Sequence, residues 1–157
     1  MQAFSKLVLV SLVLAVFTSA CSSGSSGPTG TAAEIAANTF TEAKVEPFGE
    51  TTSLTSDQEI EFFLGSTNYP PFTDSAVVQP MMSIDARIMY ILEVATEKEA
   101  ADVVTQLAVD VDPNRLICVV FSPDDVVIDS RGTVVFMVID SNHDERNALA
   151  EAFKTIK

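Results

Sequence analysis

Apolar residues recur every three or four positions in four segments of the chain, the spacing that puts them on one side of a helix. Helices are predicted over residues 32–44, 57–64, 97–109 and 143–156. The first three begin with a Ser or Thr placed three residues before a Glu, the spacing of a capping box: Thr31 and Glu34, Ser56 and Glu59, Thr96 and Glu99. Gly65 is expected to end the second helix, because glycine tolerates a left-handed backbone.

Two further parts of the chain are predicted to form β-hairpins, because their apolar residues alternate or run continuously between turn residues. Residues 75–82 and 86–94 form the first hairpin. Residues 125–140, which turn at Ser130-Arg131-Gly132, form the second. The strand over 86–94 is apolar on both faces, which indicates a central strand covered on both sides. Pro80 has no amide hydrogen, so its strand is expected at an edge or a bulge.

The order helix, helix, hairpin, helix, hairpin, helix predicts one α+β domain over residues 31–157. We expect an antiparallel sheet of two hairpins, with about four helices packed on one of its faces. Residues 114–121 are compatible with either a strand or an extension of a helix.

The first 21 residues have the pattern of an export signal. Lys6 precedes an apolar core over residues 7–17, and small residues lead from there to Ala20 and Cys21. The core is shorter than the roughly 20 residues of a membrane-spanning helix. An ordinary secretory signal that leaves Cys21 as an unmodified thiol is one interpretation.

An apolar core followed by small residues directly before a cysteine also resembles the lipobox of bacterial lipoproteins, although Thr18 takes the place of the leucine usual in that family. The resemblance implies cleavage between Ala20 and Cys21 and a diacylglyceryl group on the Cys21 thiol. Residues 21–30, "CSSGSSGPTG", are then expected to be a lipidated cysteine and a flexible tether.

Composition narrows the possible partners and chemistry. The 22 acidic residues outnumber the nine basic ones, and the net charge of −13 repels phosphate backbones, which excludes nucleic acid as a partner. Cys118 lies in the apolar run "LICVVF" and is predicted to be a buried, inert thiol. His143, the sole histidine, is predicted in a helix-capping turn with Ser141 or Asn142 as the cap.

No nucleophile elbow and no phosphate-binding loop occurs in the sequence. We therefore expect no enzyme activity, no cofactor and no metal. A loose acidic group, Asp110, Asp112, Asp124 and Asp125, is interpreted as turn and cap chemistry, with weak binding of a divalent ion as the alternative.

The most distinctive loop of the chain is "NYPPF", residues 68–72. Its two prolines favour an extended backbone, and Tyr69 and Phe72 are candidate contacts to a partner. The alternative is that both rings fold back onto the core.

The stretches "VVQPMMSIDARIMYILEVATEKEAADV" and "FSPDDVVIDSRGTVVFMVID", followed by an amphipathic helix, resemble a family of small bacterial lipoproteins, mainly Gram-positive, whose C-terminal domain has no known function. The resemblance covers roughly residues 31–157. It implies a lipid-anchored domain on the extracytoplasmic face of the cell membrane and implies no activity.

Together these observations predict a non-enzymatic module that contacts a protein or another component of the cell envelope. The alternative is a module that binds a small ligand in a pocket between sheet and helices. Met89, Tyr90 and Met137 are the residues expected to line such a pocket.

Overall fold

A computed structural model describes residues 26–82, 86–110, 112 and 121–157. Within these residues an antiparallel sheet has the strand order β1-β2-β3-β5-β4. The strands are β1 (Glu50–Thr52), β2 (Asp74–Gln79), β3 (Arg87–Glu93), β4 (Val126–Arg131) and β5 (Val134–Asp140). The helices are α1 (Ala32–Ala43), α2 (Asp57–Leu64), α3 (Glu97–Asp110) and α4 (His143–Thr155). The α+β class and both hairpins are confirmed.

Helices cover both faces of the sheet. One core cluster joins α1 and α4 to the side chains of Met89, Phe136 and Val138. The other joins α2 and α3 to Tyr90 and Met137, their neighbours along the same strands. The prediction that the helices pack on one face is therefore wrong. Its physical reason is visible in β5, which is buried at every position and needs cover on both sides.

The strand β1 is absent from the sequence-based prediction, and it changes the place of β2. Glu50 pairs with Gln79 and Thr52 with Val77, so β2 lies between β1 and β3 rather than at an edge. Pro80 follows the last residue of β2, so its missing amide hydrogen does not interrupt the hydrogen bonds between the strands. The prediction of an edge or bulge for this strand is wrong for that reason.

The helix boundaries follow the local signals closely. All three capping boxes form, with the Ser or Thr side chain accepting from the Glu amide and the Glu carboxylate accepting in return. Gly65 ends α2 with a φ of 80°. Gly132 has a φ of 58° and turns the chain between β4 and β5, slightly later than predicted.

Strand register defines two ends of the sheet. The Arg131 end is the row of paired residues Asp74, Glu93, Val134 and Arg131. The Arg87 end contains Gln79, Arg87, Asp140 and Val126. Along β3 the two ends, at Arg87 and Glu93, are six residue steps apart, about 20 Å at the usual strand rise.

Residues 26–30 of the predicted tether lie against the domain. The carbonyl oxygen of Ser26 accepts a hydrogen bond of 3.1 Å from Arg131, and Pro28 is buried. A Cβ atom at Gly27 would lie 2.5 Å from the carbonyl oxygen of Arg131, so this close approach requires glycine. The folded part of the chain thus includes residues 26–30, which the sequence pattern assigned to a flexible tether.

Several predictions concern residues outside those described. They are the signal over 1–20, the cleavage site at Ala20 and Cys21, the thiol of Cys118, and the assignment of 114–120 to strand or helix. In the part of the chain that the structure describes, no helix combines the length and apolarity needed to cross a bilayer.

Candidate functional site

A groove opens between the start of α2 and the loop that contains Tyr69 and Phe72. We call it the α2 groove. Its volume is about 280 Å³. The residues that line it come from the segment before α2, from α2 itself and from the loop: Leu54, Thr55, Ser56, Asp57, Ile60, Thr67, Tyr69, Pro70, Pro71 and Phe72.

The loop wall of the α2 groove is built on two aromatic rings. Tyr69 and Phe72 are half-buried, and their ring centroids lie 5.9 Å apart with the planes tilted by 35°. The Tyr69 hydroxyl donates a 2.8 Å hydrogen bond to the Asp110 carboxylate at the end of α3. Both rings pack on the core cluster beneath α2 and α3. They fold back onto the core and, from that position, also line the groove.

The helix wall is held by the capping box of α2. The Glu59 carboxylate accepts hydrogen bonds from the amide and hydroxyl of Thr55, at 2.7 and 2.9 Å, and from those of Ser56, at 2.9 and 3.0 Å. The backbone amide of Thr55 foremost, then the Thr55 and Ser56 hydroxyls, lower the pKa of Glu59. Glu59 is therefore ionised at neutral pH, and it fixes the backbone of the groove rim.

The groove combines apolar surfaces from Ile60, Pro71 and Phe72 with hydroxyl and carboxylate groups at its rim. Pockets that enclose small organic ligands usually measure about 300–1,000 Å³ and bury most of the ligand. The α2 groove, at about 280 Å³, lies at the lower edge of that range and is open to solvent. Its chemistry suits one apolar or aromatic side chain of a protein partner, with backbone groups of the partner hydrogen-bonded at the rim.

The pocket expected between sheet and helices is not formed by the three residues named for it. Met89 belongs to the core cluster beneath α1 and α4, whereas Tyr90 and Met137 belong to the cluster on the opposite face. All three are at most 2% exposed. Adjacent residues of a strand point to opposite faces, so Met89 and Tyr90 cannot line one cavity.

A cluster of charges lies at the Arg87 end. The Arg87 guanidinium donates to the Asp140 carboxylate from Nε at 3.3 Å and from Nη2 at 3.2 Å, and it also contacts the Glu145 carboxylate. Its carbon Cζ lies 4.4 Å from the centre of the Phe48 ring, a cation–π contact. Asp140 further accepts from the Asn142 amide at 2.8 Å. These groups satisfy one another, which favours a structural role.

His143 is the first residue of α4 and is exposed, with Nε2 3.3 Å from Asp125 Oδ1. Asn142 caps α4 by accepting from the amides of Asp144 and Glu145, as predicted for this turn.

The four acidic residues considered as a loose metal site take other roles where their contacts are described. Asp110 accepts from Tyr69 and Gln106, and Asp125 completes a capping box with Ser122 at a 3₁₀ turn, Pro123–Asp125. Among the residues that the structure describes, no three acidic, His or Cys side chains are grouped to hold a metal ion.

No protein-family profile, curated protein or solved structure matches this chain. The resemblance to small bacterial lipoproteins stays a prediction.

Two features of the structure, one in the α2 groove and one at the Arg131 end, are beyond what the sequence pattern predicts. The capping box over Ser56 and Glu59 is predicted as a helix start, but its place opposite Tyr69 depends on the packing of α2 on the sheet. Arg131 is predicted in a turn, and its acceptors are 22 to 105 residues away along the chain. Local sequence patterns carry no signal for contacts at such separations.

Proposed function

We propose that the protein is a lipid-anchored, non-enzymatic module on the extracytoplasmic face of the bacterial cell membrane. Its role is to contact another protein of the envelope, and the α2 groove is the contact site. The observation that carries the proposal is the pairing of Tyr69 and Phe72 with the capped start of α2 around an open groove that has both apolar and polar walls.

The open shape and small volume of the groove favour a protein contact over a small ligand that is enclosed by the pocket. A groove of about 280 Å³ accepts one anchoring side chain of a partner, and aromatic residues are enriched at the energetic centres of such contacts. The side chains expected to line an internal pocket are instead packed within the two core clusters.

Anchoring rests on the sequence of the amino end. The apolar core over 7–17 and the small residues before Cys21 support export and lipid attachment. The net negative charge supports attachment through a lipid anchor. It does not support electrostatic adhesion to anionic lipids, because like charges repel.

The contact is tested by photo-cross-linking in intact cells of the source organism, with the cross-linking amino acid at position 67, an exposed residue of the groove. We expect one discrete cross-linked protein, and we expect Phe72→Ser to reduce its yield about tenfold or more, as for an aromatic residue at the centre of an interface. Thermal denaturation of the variant is the check that it remains folded, because Phe72 also packs on the core.

The matched control is Phe62→Ser on the outer side of α2, where the ring is 58% exposed and does not line the groove. This variant is expected to leave the cross-link unchanged. Equal cross-linking by wild type and by folded Phe72→Ser would contradict a contact in the α2 groove.

A further inference from the structure

The amino-terminal segment is clamped to one defined place on the domain. Nη1 of Arg131 donates to the carbonyl oxygens of Phe153 at 2.7 Å and Ile156 at 2.8 Å, while Nη2 donates to that of Ser26 at 3.1 Å. One guanidinium therefore joins the end of α4, the end of β4 and the incoming chain. The planar, fixed geometry of its donors makes Arg suited to such a three-way contact.

Two further contacts hold the same segment. The Ala32 amide donates a 2.8 Å hydrogen bond to the Asp74 carboxylate at the start of β2, and the backbone of Gly27 passes directly over that of Arg131. Residues 26–32 thus follow the Arg131 end of the sheet from β4 to β2.

The remaining distance to the proposed lipid is short. Ser26 comes five positions after Cys21, and five residue steps span at most about 18 Å when the chain is fully extended. That span is comparable to the length of the sheet between its two ends, about 20 Å. A tether of this length, attached at one end of the domain, keeps that end closer to the bilayer than the other.

Electrostatic attraction to the lipid does not explain why the Arg131 end would lie closer to the bilayer. The Arg131 end carries Asp74 and Glu93, and burial, followed by the nearby Asp74 carboxylate, raises the pKa of Glu93. Acidic groups do not draw an end of the molecule toward anionic lipid. The covalent attachment and the Arg131 clamp have to set the orientation.

We infer that the Arg131 clamp orients the domain on the membrane, with the Arg131 end facing the lipid and the Arg87 end facing away. This inference rests on the proposed lipid anchor at Cys21. The orientation also concerns two exposed apolar residues, Met81 and Met82, which follow β2 at the Arg87 end. Their surfaces are 83% and 73% exposed. In that orientation they lie on the side of the domain that is away from the lipid.

The test uses the full chain isolated from membranes and reconstituted into phosphatidylcholine vesicles with an energy acceptor on a fraction of the lipid headgroups. Two variants in a Cys118→Ser background carry one fluorophore each: Ala95→Cys beside the Arg131 end and Ser141→Cys beside the Arg87 end, both exposed positions. We expect energy transfer at position 95 to be at least about twofold greater, because the two ends lie about 20 Å apart. Equal transfer, or greater transfer at position 141, would overturn the inference.

Arg131→Ala tests the clamp itself and is expected to reduce the difference between the two positions. The matched control is Lys154→Ala, which removes a cation from the same end of α4 and whose amine contacts Glu151. If Arg131→Ala unfolds the domain, insertion of about 20 Gly and Ser residues after Ser22 replaces it, because a longer chain releases the Arg131 end from the bilayer. An undiminished difference in the inserted chain would overturn the inference.

Vesicle flotation separates the two proposals. A wild-type chain that does not float with the vesicles overturns the lipid anchor and the orientation together. A chain that floats but transfers energy equally from both positions overturns the orientation alone.

Discussion

Phe153→Ala is expected to destabilise the domain by about 3–5 kcal/mol, the range for removal of a buried phenyl ring from a core. Phe153 of α4 is fully buried, and its ring stacks on that of Phe136 in β5 with the centroids 4.9 Å apart and the planes 14° from parallel. The substitution removes this contact and leaves a cavity beneath α1 and α4. Chemical denaturation of the purified protein measures the change in the free energy of unfolding.

Phe62→Ala is the control for this prediction, since the Phe62 ring is 58% exposed. We expect it to change the free energy of unfolding by less than about 0.5 kcal/mol, as is usual for surface positions. A loss below about 1 kcal/mol for Phe153→Ala would contradict a closely packed layer between α4 and the sheet.

Asp140→Ala is the second large effect we expect. The Asp140 side chain is fully buried and pairs with Arg87, whose side chain is 28% exposed. Removing one partner of a buried ion pair costs about 3–5 kcal/mol, because the other charge is left without compensation. Water reaches part of Arg87 and the Glu145 carboxylate still contacts it, so we expect a smaller loss of about 2–3 kcal/mol in the same denaturation experiment.

An exposed ion pair provides the comparison for Asp140. Lys98 and Asp102 lie one turn apart on α3, with 84% and 60% of their side chains exposed. Asp102→Ala is expected to cost less than about 0.5 kcal/mol. If the loss of stability in Asp140→Ala arises from the charge left on Arg87, the double variant Asp140→Ala, Arg87→Met loses less free energy of unfolding than the two single variants together. Additive losses would contradict the pairing.

The helices were predictable because their signals are local. The capping boxes that begin at Thr31, Ser56 and Thr96 place each charge and hydroxyl within one turn of its partner, and Gly65 ends α2 at a position with a left-handed backbone. The apolar residues on both faces of β3 likewise indicated a strand covered on both sides. These features depend on three or four neighbouring residues.

The features that were missed depend on residues far apart in the chain. All three residues of β1 are exposed, so no apolar pattern marks it, and only its pairing with β2 holds it in the sheet. The position of β2, and with it the role of Pro80, follows from that pairing. The helices cover both faces because α1 and α4 lie on one side and α3 on the other, an arrangement that the order of elements leaves open.

The candidate site was predictable in part. Tyr69 and Phe72 were identified from their place beside two prolines. The opposing wall depends on how α2 packs, and the hydrogen bond from Tyr69 to Asp110 joins residues 41 positions apart. The Arg131 clamp depends on contacts of the same long-range kind.

The intact mass of the protein isolated from the membrane fraction tests most directly whether lipid on Cys21 attaches the domain to the membrane, as we propose. We predict a chain whose first residue is Cys21, with the added mass of a diacylglyceryl group. We predict that Cys21→Ser abolishes this added mass and moves the protein out of the membrane fraction. A wild-type protein retained on the membrane with an unmodified Cys21 would contradict the account.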